Sequence, residues 1–282
     1  MLVVIGDLVA DLIVLGGASL ERGTDNPAEV RLTRGGSAAN VAAAAAAAAR
    51  HPVRFIGRVG DDTLAGALVS ELEAAGVDVC VQQAGRTGAI VVLVDAVGER
   101  TMITDRGAAA ELDAIDPTWL TGARWVHLPL YGFAQSRSRA ALEDAVADAS
   151  ARGIRVSLDL SSVQTLRTLG AGVLAEVLER VRPDVVFANE DEARTAAELG
   201  LSPATDGVYV IKRGPDPVIV EASGGRSEVP VERVDDVLDS TGAGDAFAAG
   251  FITAALDGAD PQTSARAGSV LAMSALRRAG AL

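Results

Sequence analysis

The sequence predicts an α/β protein: a mostly parallel sheet with helices on both faces, and a small antiparallel sheet projecting from it. Three observations predict this. Short apolar runs alternate with helical segments along most of the chain, the pattern of a parallel sheet covered on both sides. The apolar content, 49% of residues with only 3% aromatic, is mostly Ala, Val and Leu, which suits helices packed closely on strands. Two stretches, 11–34 and 87–105, hold strand-like runs with no helix between them.

Taken in order, Leu2–Ile5 is a short apolar run ending at Gly6, typical of a buried strand feeding a loop. Ser37–Arg50 reads as a helix with Ser37 as N-cap, and its alanine tract, Ala42–Ala49, is the best helix former. Then follow strand Val53–Ile56, helix Asp62–Ala75, strand Trp125–Leu128, helix Gln135–Arg152 and strand Arg155–Leu158. Helix Ala171–Val181, strand Val185–Ala188, helix Glu190–Leu199 and strand Gly207–Lys212 continue the pattern, and helices Ala243–Leu256 and Pro261–Arg278 close it. The helix-free stretches contain the runs Leu12–Leu15, Val30–Thr33, Ala89–Val94 and Arg100–Thr104, the last two joined by a turn at Val97-Gly98-Glu99. With no internal repeat and no long linker, the economical reading is one domain, 1–282, with an inserted lid.

Composition narrows the function. A formal net charge of −13 makes the chain a poor general binder of nucleic acid or of an anionic membrane. An anionic ligand would need local help from backbone N–H groups, a few Arg side chains and a divalent cation. The single cysteine, Cys80, excludes an intrachain disulfide and a cysteine-cluster metal site. His51 and His127 are the only histidines and read as structural, and Lys212 is the sole lysine. The start, Met1 to Gly17, is apolar but contains Asp7 and Asp11 and has no basic leading segment, unlike a signal peptide. No uncharged apolar run reaches the roughly 20 residues of a membrane span, so a cytoplasmic protein is expected.

Three segments could carry chemistry at the carboxyl edge of the sheet, where such folds bind ligands. The first is Asp239-Ser240-Thr241-Gly242-Ala243-Gly244-Asp245-Ala246-Phe247, a glycine-rich turn opening an apolar helix. The N–H groups of Ala243, Gly244 and Asp245 would face a transferred phosphate at the positive end of the helix dipole. The Asp245 carboxylate is badly placed to bind phosphate itself and well placed to take a proton from an attacking hydroxyl. The second is Gly35-Gly36-Ser37-Ala38-Ala39-Asn40, where two glycines permit close backbone approach to a polar ligand and Asn40 offers both donor and acceptor, as a polyol needs. The third is Asn189-Glu190-Asp191-Glu192. Residues three apart share a helix face, so Asn189 and Glu192 could jointly orient hydrated Mg²⁺ and phosphate. Asp159, at a strand end, is a further candidate, and Arg106 could pair with a carboxylate or phosphate on the substrate or simply flank Gly107-Ala108.

In that order along the chain, these motifs resemble the ribokinase family of sugar kinases, also called the PfkB carbohydrate kinases. The resemblance spans nearly the whole chain, and Asp239–Phe247 is its most specific part. It implies a ribokinase-like fold, ATP and Mg²⁺, and transfer of the γ-phosphoryl group to a primary hydroxyl of a sugar or sugar-like polyol. By position, Asp245 matches the catalytic base and Gly242, Ala243 and Gly244 the anion hole. Asn189 and Glu192 match the motif that organises Mg²⁺ and phosphates, and Asp11, Gly35, Gly36 and Asn40 the substrate side. Lys212-Arg213-Gly214 and Thr241 match segments lining the nucleotide site. The family's lid covers the sugar and often builds a homodimer. A nucleoside kinase is the alternative within the family, though a base-binding wall wants aromatic surface and this chain has little. A catalytically silent sugar sensor would not need Asp245 and a complete anion-hole turn. A nicotinamide dehydrogenase is disfavoured because Val4-Ile5-Gly6-Asp7 does not continue as G-x-G-x-x-G.

Overall fold

A computed structural model describes residues 1–16, 20–95, 100–201, 207–234, 237 and 240–277. The turn expected at Val97-Gly98-Glu99, the first motif residue Asp239 and the helix end Arg278 lie outside the described residues. In chain order the elements are β1 (Leu2–Gly6), β2 (Val9–Leu15), β3 (Glu29–Gly35), α1 (Ser37–Ala47), β4 (Val53–Val59), α2 (Thr63–Ala74), β5 (Asp78–Gln83), β6 (Thr87–Val94) and β7 (Arg100–Gly107). They continue as β8 (Trp125–Pro129), α3 (Ser136–Ala151), β9 (Arg155–Asp159), α4 (Val163–Val181), β10 (Val185–Asn189), α5 (Glu190–Glu198) and β11 (Val208–Arg213). The chain closes with β12 (Asp216–Ala222), β13 (Gly225–Val229), α6 (Ala243–Leu256) and α7 (Pro261–Leu276).

Nine strands form the main sheet, in the order β13-β12-β11-β10-β9-β8-β1-β4-β5. From β11 to β5 every pairing is parallel, and β12 and β13 extend the sheet as an antiparallel edge hairpin. Strand residues alternate between the two faces. Leu2 and Val4 join a core with α1, α2, α6 and α7, whereas Val3 and Ile5 join a second core with α3, α4 and α5. Small residues thin the first layer: α1 buries a run of alanines from Ala42 to Ala45 beside the alanine-rich α6. None of the helices formed by the described residues is long and apolar enough to cross a membrane.

The second sheet has the order β3-β2-β6-β7. Each outer pair is antiparallel, β2 with β3 and β6 with β7, and the two hairpins meet through a parallel β2–β6 pairing. One face, with Asp11, Ile90, Val92 and Thr104, looks onto a cleft over the main sheet.

Several elements depart from the sequence reading. Strands β5, β12 and β13 were not expected, because β5 is a half-exposed edge strand mixing polar and apolar residues and β12 has Pro217 at its start. Helix α4 begins at Val163 rather than Ala171, with the Ser162 hydroxyl accepting from Thr165 N–H, and is broken at Gly170 (φ 69°, ψ 169°). The glycines at 170 and 172 conceal its first two turns. Helix α1 is capped by Gly36, not Ser37, whose hydroxyl is committed elsewhere.

Candidate active site

The carboxyl ends of parallel strands in the middle of the sheet deliver Asp7 after β1, Asp159 on β9, Asn189 on β10 and Lys212 on β11 to one side. Together with the start of α6, the start of α1 and the inner lid face, they line a cleft of about 1200 Å³.

At its centre stands Asp245, in the first turn of α6. The first hydrogen bond of that helix runs from Ala246 N–H to the Gly242 carbonyl at 2.8 Å, so the amides of Ala243, Gly244 and Asp245 precede the ladder. Ala243 N–H turns to the Ser240 carbonyl at 3.3 Å, which leaves Gly244 and Asp245 as the donors best placed to cradle an anion. The Ser37 hydroxyl donates to Asp245 Oδ1 at 2.7 Å, and Asn40 Nδ2 donates to Oδ2 at 3.0 Å. Loss of water around the carboxylate pushes its pKa up to about 7, against those two bonds, which favour the charged form. Asp159 adds to the rise and Lys212 opposes it.

On the strand-end side, Lys212 Nζ donates to Asp159 Oδ2 at 2.8 Å. Burial works against the ammonium, but Asp159, Glu192 and Asp245 together hold its pKa above the ordinary lysine value. A Cβ on Gly244 would stand 3.3 Å from that Nζ, so the lysine lies directly beside the α6 turn. Asn189 and Glu192 form a reciprocal cap of α5: Asn189 N–H and Nδ2 donate to the two Glu192 oxygens at 2.8 and 2.9 Å, and Glu192 N–H returns to Asn189 Oδ1 at 2.8 Å. Glu192 is 3% exposed, and burial, then Asp159, raises its pKa to about 7.

On the lid side, the paired glycines admit close approach within the protein's own chain. A Cβ on Gly35 would sit 2.1 Å from Asp11 Oδ1, and Gly36, at φ 101°, passes so close to the Asp7 carbonyl that a Cβ would lie 2.4 Å from it. Asp11 faces the cleft with Oδ1 buried and unpartnered, and burial, reinforced by Asp7, raises its pKa to about 6. Arg106 donates to Asp7 Oδ2 at 2.6 Å and lies 3.8 Å over the Tyr131 ring, so its first partner is a carboxylate of this chain. Asn40, read as offering both a donor and an acceptor, has both ends engaged within the chain, because Arg34 Nη1 donates to its Oδ1 at 3.0 Å.

The cleft thus gathers Asp11, Gly36, Asn40, Arg106, Asp159, Asn189, Glu192, Lys212, Gly214, Thr241, Gly242, Ala243, Gly244 and Asp245 around one volume, with Gly35 packed behind Asp11. Sequence reasoning missed Asp7, Ser37, Tyr131 and Arg34. An acid directly after the first buried strand was a readable sign for Asp7. Nothing local marks Arg34 or Tyr131. His127 is a core residue as expected: its Nδ1 lies 2.9 Å from Ser157 Oγ, and burial lowers its pKa to about 4.

Residues 1–282 match the model of the pfkB family carbohydrate kinases. The chain is 36% identical over 250 residues to the ATP-dependent ribose-1-phosphate kinase of Halopiger xanaduensis, an alignment covering 84% of this chain and 79% of that protein. It is 30% identical over 281 residues to the adenosine kinase of Saccharomyces cerevisiae, covering 89% and 80% respectively. Among solved structures, adenosine kinase from Sinorhizobium meliloti shares the fold with a TM-score of 0.85 at 22% identity, over 99% of this chain and 94% of that one. A Pyrococcus horikoshii sugar kinase solved with ATP gives 0.83 at 22% identity, over 100% and 94%. Matched from end to end, and with the glycine-rich turn, its aspartate and the Asn-x-x-Glu cap lining one cleft, the chain belongs to the pfkB family of carbohydrate kinases, phosphotransferases whose acceptor is a hydroxyl group.

Proposed function

We propose that this protein transfers the γ-phosphoryl group of ATP to a primary hydroxyl of a sugar or sugar-like polyol, with Asp245 as the general base. The observation that carries this reading is the setting of Asp245: a carboxylate with a pKa near 7, in the first turn of a helix, beside the sole lysine and across the cleft from Asp11. A base poised near the working pH is the efficient one. Asp245 takes the proton of the acceptor hydroxyl, the oxygen attacks the γ-phosphorus, and the bond to the β–γ bridging oxygen breaks to release ADP. Amides of Gly244 and Asp245, with Lys212 beside them, face the charge on the transferring group; one such donor is worth about 3 kcal/mol. Gly214, Thr241 and Gly242 line the nucleotide side, and Asp11, Gly36 and Asn40 the acceptor side.

Mg²⁺ fits the Asn189–Glu192 pair only through its own waters and the nucleotide phosphates, its usual mode. Those two residues are a single oxygen-bearing pair, and no group of three or more acids, histidines or cysteines is present among the described residues to cage an ion. When bound, the ion would supply positive charge to the phosphate oxygens.

Adenosine kinases among the relatives favour a second reading, a nucleoside acceptor. The cleft argues against it. Of its aromatic lining residues among those described, Phe247 is 3% exposed within a cluster with Phe187 and Phe251, and the face of Tyr131 is covered by Arg106. One ring is buried and the other has a face taken by Arg106, a poor wall for a base to stack on. ADP release measured with pentoses, hexoses, ribose 1-phosphate and nucleosides decides: the reading expects a sugar to lead, and a nucleoside at higher kcat/KM than every sugar contradicts it. Replacing Asp245 with Asn is expected to lower kcat at least about 100-fold while ATP binding persists. A variant keeping a tenth of wild-type turnover would remove Asp245 from the role.

We further read the chain as one domain carrying an inserted lid, working in the cytoplasm where ATP is supplied, and as a homodimer through that lid. In register across the outer lid face stand Leu32, Leu12, Val91 and Ile103, with Leu32 and Ile103 each 61% exposed. Such an aliphatic row on a solvent-facing sheet supports a covered surface. Light scattering should return a dimer mass, and Leu32→Asp should halve it.

A further inference from the structure

Arg34 is 4% exposed although it sits on β3, a strand of the lid. Burying an arginine is costly unless its donors are used. Its Nη1 donates to Asn40 Oδ1 at 3.0 Å, and among the described residues its one ion pair is loose, Nε to Glu71 Oε1 at 3.6 Å on an exposed α2 side chain. A guanidinium has no acceptor and keeps its charge. Facing it, the Asn40 amide can present only its oxygen. The NH₂ group is thereby forced to the opposite side, where it donates to Asp245 Oδ2 at 3.0 Å. An unconstrained asparagine could turn its oxygen toward the carboxylate, replacing an attraction with a repulsion.

We propose that Arg34 is a positioning residue for the phosphoryl-transfer reaction: from the lid strand it fixes the orientation of the Asn40 amide, and through that amide the position and charge of the Asp245 carboxylate. This rests on Asp245 being the base. The chain of donors runs one way, guanidinium to amide to carboxylate, and Ser37 Oγ secures the second oxygen. Asp245 also feels Asp159 from β9, Lys212 from β11 and Tyr131 after β8, besides the Arg34 charge itself. Arg34 holds the amide oxygen on the side away from Asp245, and so reinforces from the lid the orientation in which the NH₂ faces the carboxylate.

The test uses the full chain with Arg34→Met, which keeps buried aliphatic volume, and Arg34→Lys, which keeps a cationic donor. Arg34→Met should lower kcat about tenfold or more and move the acid limb of the kcat/KM–pH profile upward by about half a unit or more. Arg34→Lys should recover most of both. In an Asn40→Ala background, Arg34→Met should cost less than about twofold, since the relay is already cut. Glu71→Gln, which removes only the loose ion pair, should leave the profile in place. An unmoved acid limb, or an equal cost of Arg34→Met with and without Asn40, overturns the proposal. If Arg34→Met does not fold, Arg34→Gln takes its place on the same readouts. Asp245→Asn measured alongside separates the two readings: an active Asp245→Asn removes the base, whereas an inactive one with an unmoved acid limb in the Arg34 variants removes only the relay.

Discussion

The two ends of the cleft are built by different means. Apart from the Lys212–Asp159 pair, which spans 53 positions, the strand-end side is assembled from short-range pieces: the Asn189–Glu192 cap closes within one turn, and the α6 turn is a run of consecutive residues. The lid side is assembled from long-range pairs, with Arg106 reaching Asp7 across 99 positions and Asn40 and Ser37 reaching Asp245 across 205 and 208. Their polar groups also differ in how well they are satisfied. Both Glu192 oxygens are bonded, as is Lys212, while Asp11 keeps a buried oxygen with no partner. The side chains of the first end are thus paired within the chain, as would suit the nucleotide side of the proposed reaction. The second holds a buried Asp11 oxygen without a partner, which on the proposed reading an acceptor hydroxyl would meet, so that discrimination between substrates would lie at the lid.

The largest effect expected from breaking this contrast is at the satisfied end. Lys212→Met leaves Asp159 a buried carboxylate without its partner, which costs about 3–5 kcal/mol and a clear fall in melting temperature, together with a loss of turnover. Adding Asp159→Asn should restore most of the melting temperature without restoring turnover, which separates the lysine's structural pairing from its charge beside the α6 turn. Restored turnover in the double variant would show that the lysine acts only as a structural partner.

An intermediate effect is expected at the unsatisfied end. Asp11→Asn should raise the KM for the acceptor about 10- to 100-fold, the worth of a hydrogen bond to a charged group, and leave the KM for ATP within about twofold. Stability should respond in the opposite sense. Asp11, Glu192 and Asp245 all have folded-state pKa values raised, to about 6, 7 and 7, above their ordinary values of 3.8, 4.5 and 3.8. In that window the folded chain binds more protons than the unfolded one, so stability falls as pH rises from about 4 to 7. Asp11→Asn should flatten the lower part of that decline, and an unchanged melting-temperature profile would contradict the buried, unpaired state of Asp11.

Ser37→Ala is expected to give the smallest change. It removes one of two donors to Asp245, so kcat should fall a few-fold and the acid limb of the rate profile should move upward, by less than in Arg34→Met. A shift to lower pH would mean that the hydroxyl does not favour the ionised carboxylate.

This difference between the two ends also explains what could be read from the sequence. Segments whose function lies in neighbouring residues were legible: the turn at Gly242–Asp245, the Asn189–Glu192 spacing and the alternating strands and helices. Arg106 was readable as a cation near the site, but its commitment to Asp7 depends on two sheets meeting, which no local pattern records. Arg34 looked like an ordinary lid residue, because alternation along β3 does not reveal that its side chain is buried against α1. Gly35 and Gly36 were recognised as points of close approach, but not that Asp11 and the Asp7 backbone crowd them from within the chain. The parallel β2–β6 junction in the lid was likewise hidden, since strand runs specify hairpins more readily than the pairing between them.

The most direct measurement is a structure of the protein with a non-hydrolysable ATP analogue, Mg²⁺ and the acceptor that leads the substrate screen. The account predicts one acceptor hydroxyl within about 2.6–3.2 Å of an Asp245 oxygen, the γ-phosphate on the amides of Gly244 and Asp245, and Asp11 bonded to a second hydroxyl. An acceptor whose reactive hydroxyl is served by another side chain, with Asp245 still enclosed by Ser37 and Asn40, would contradict it.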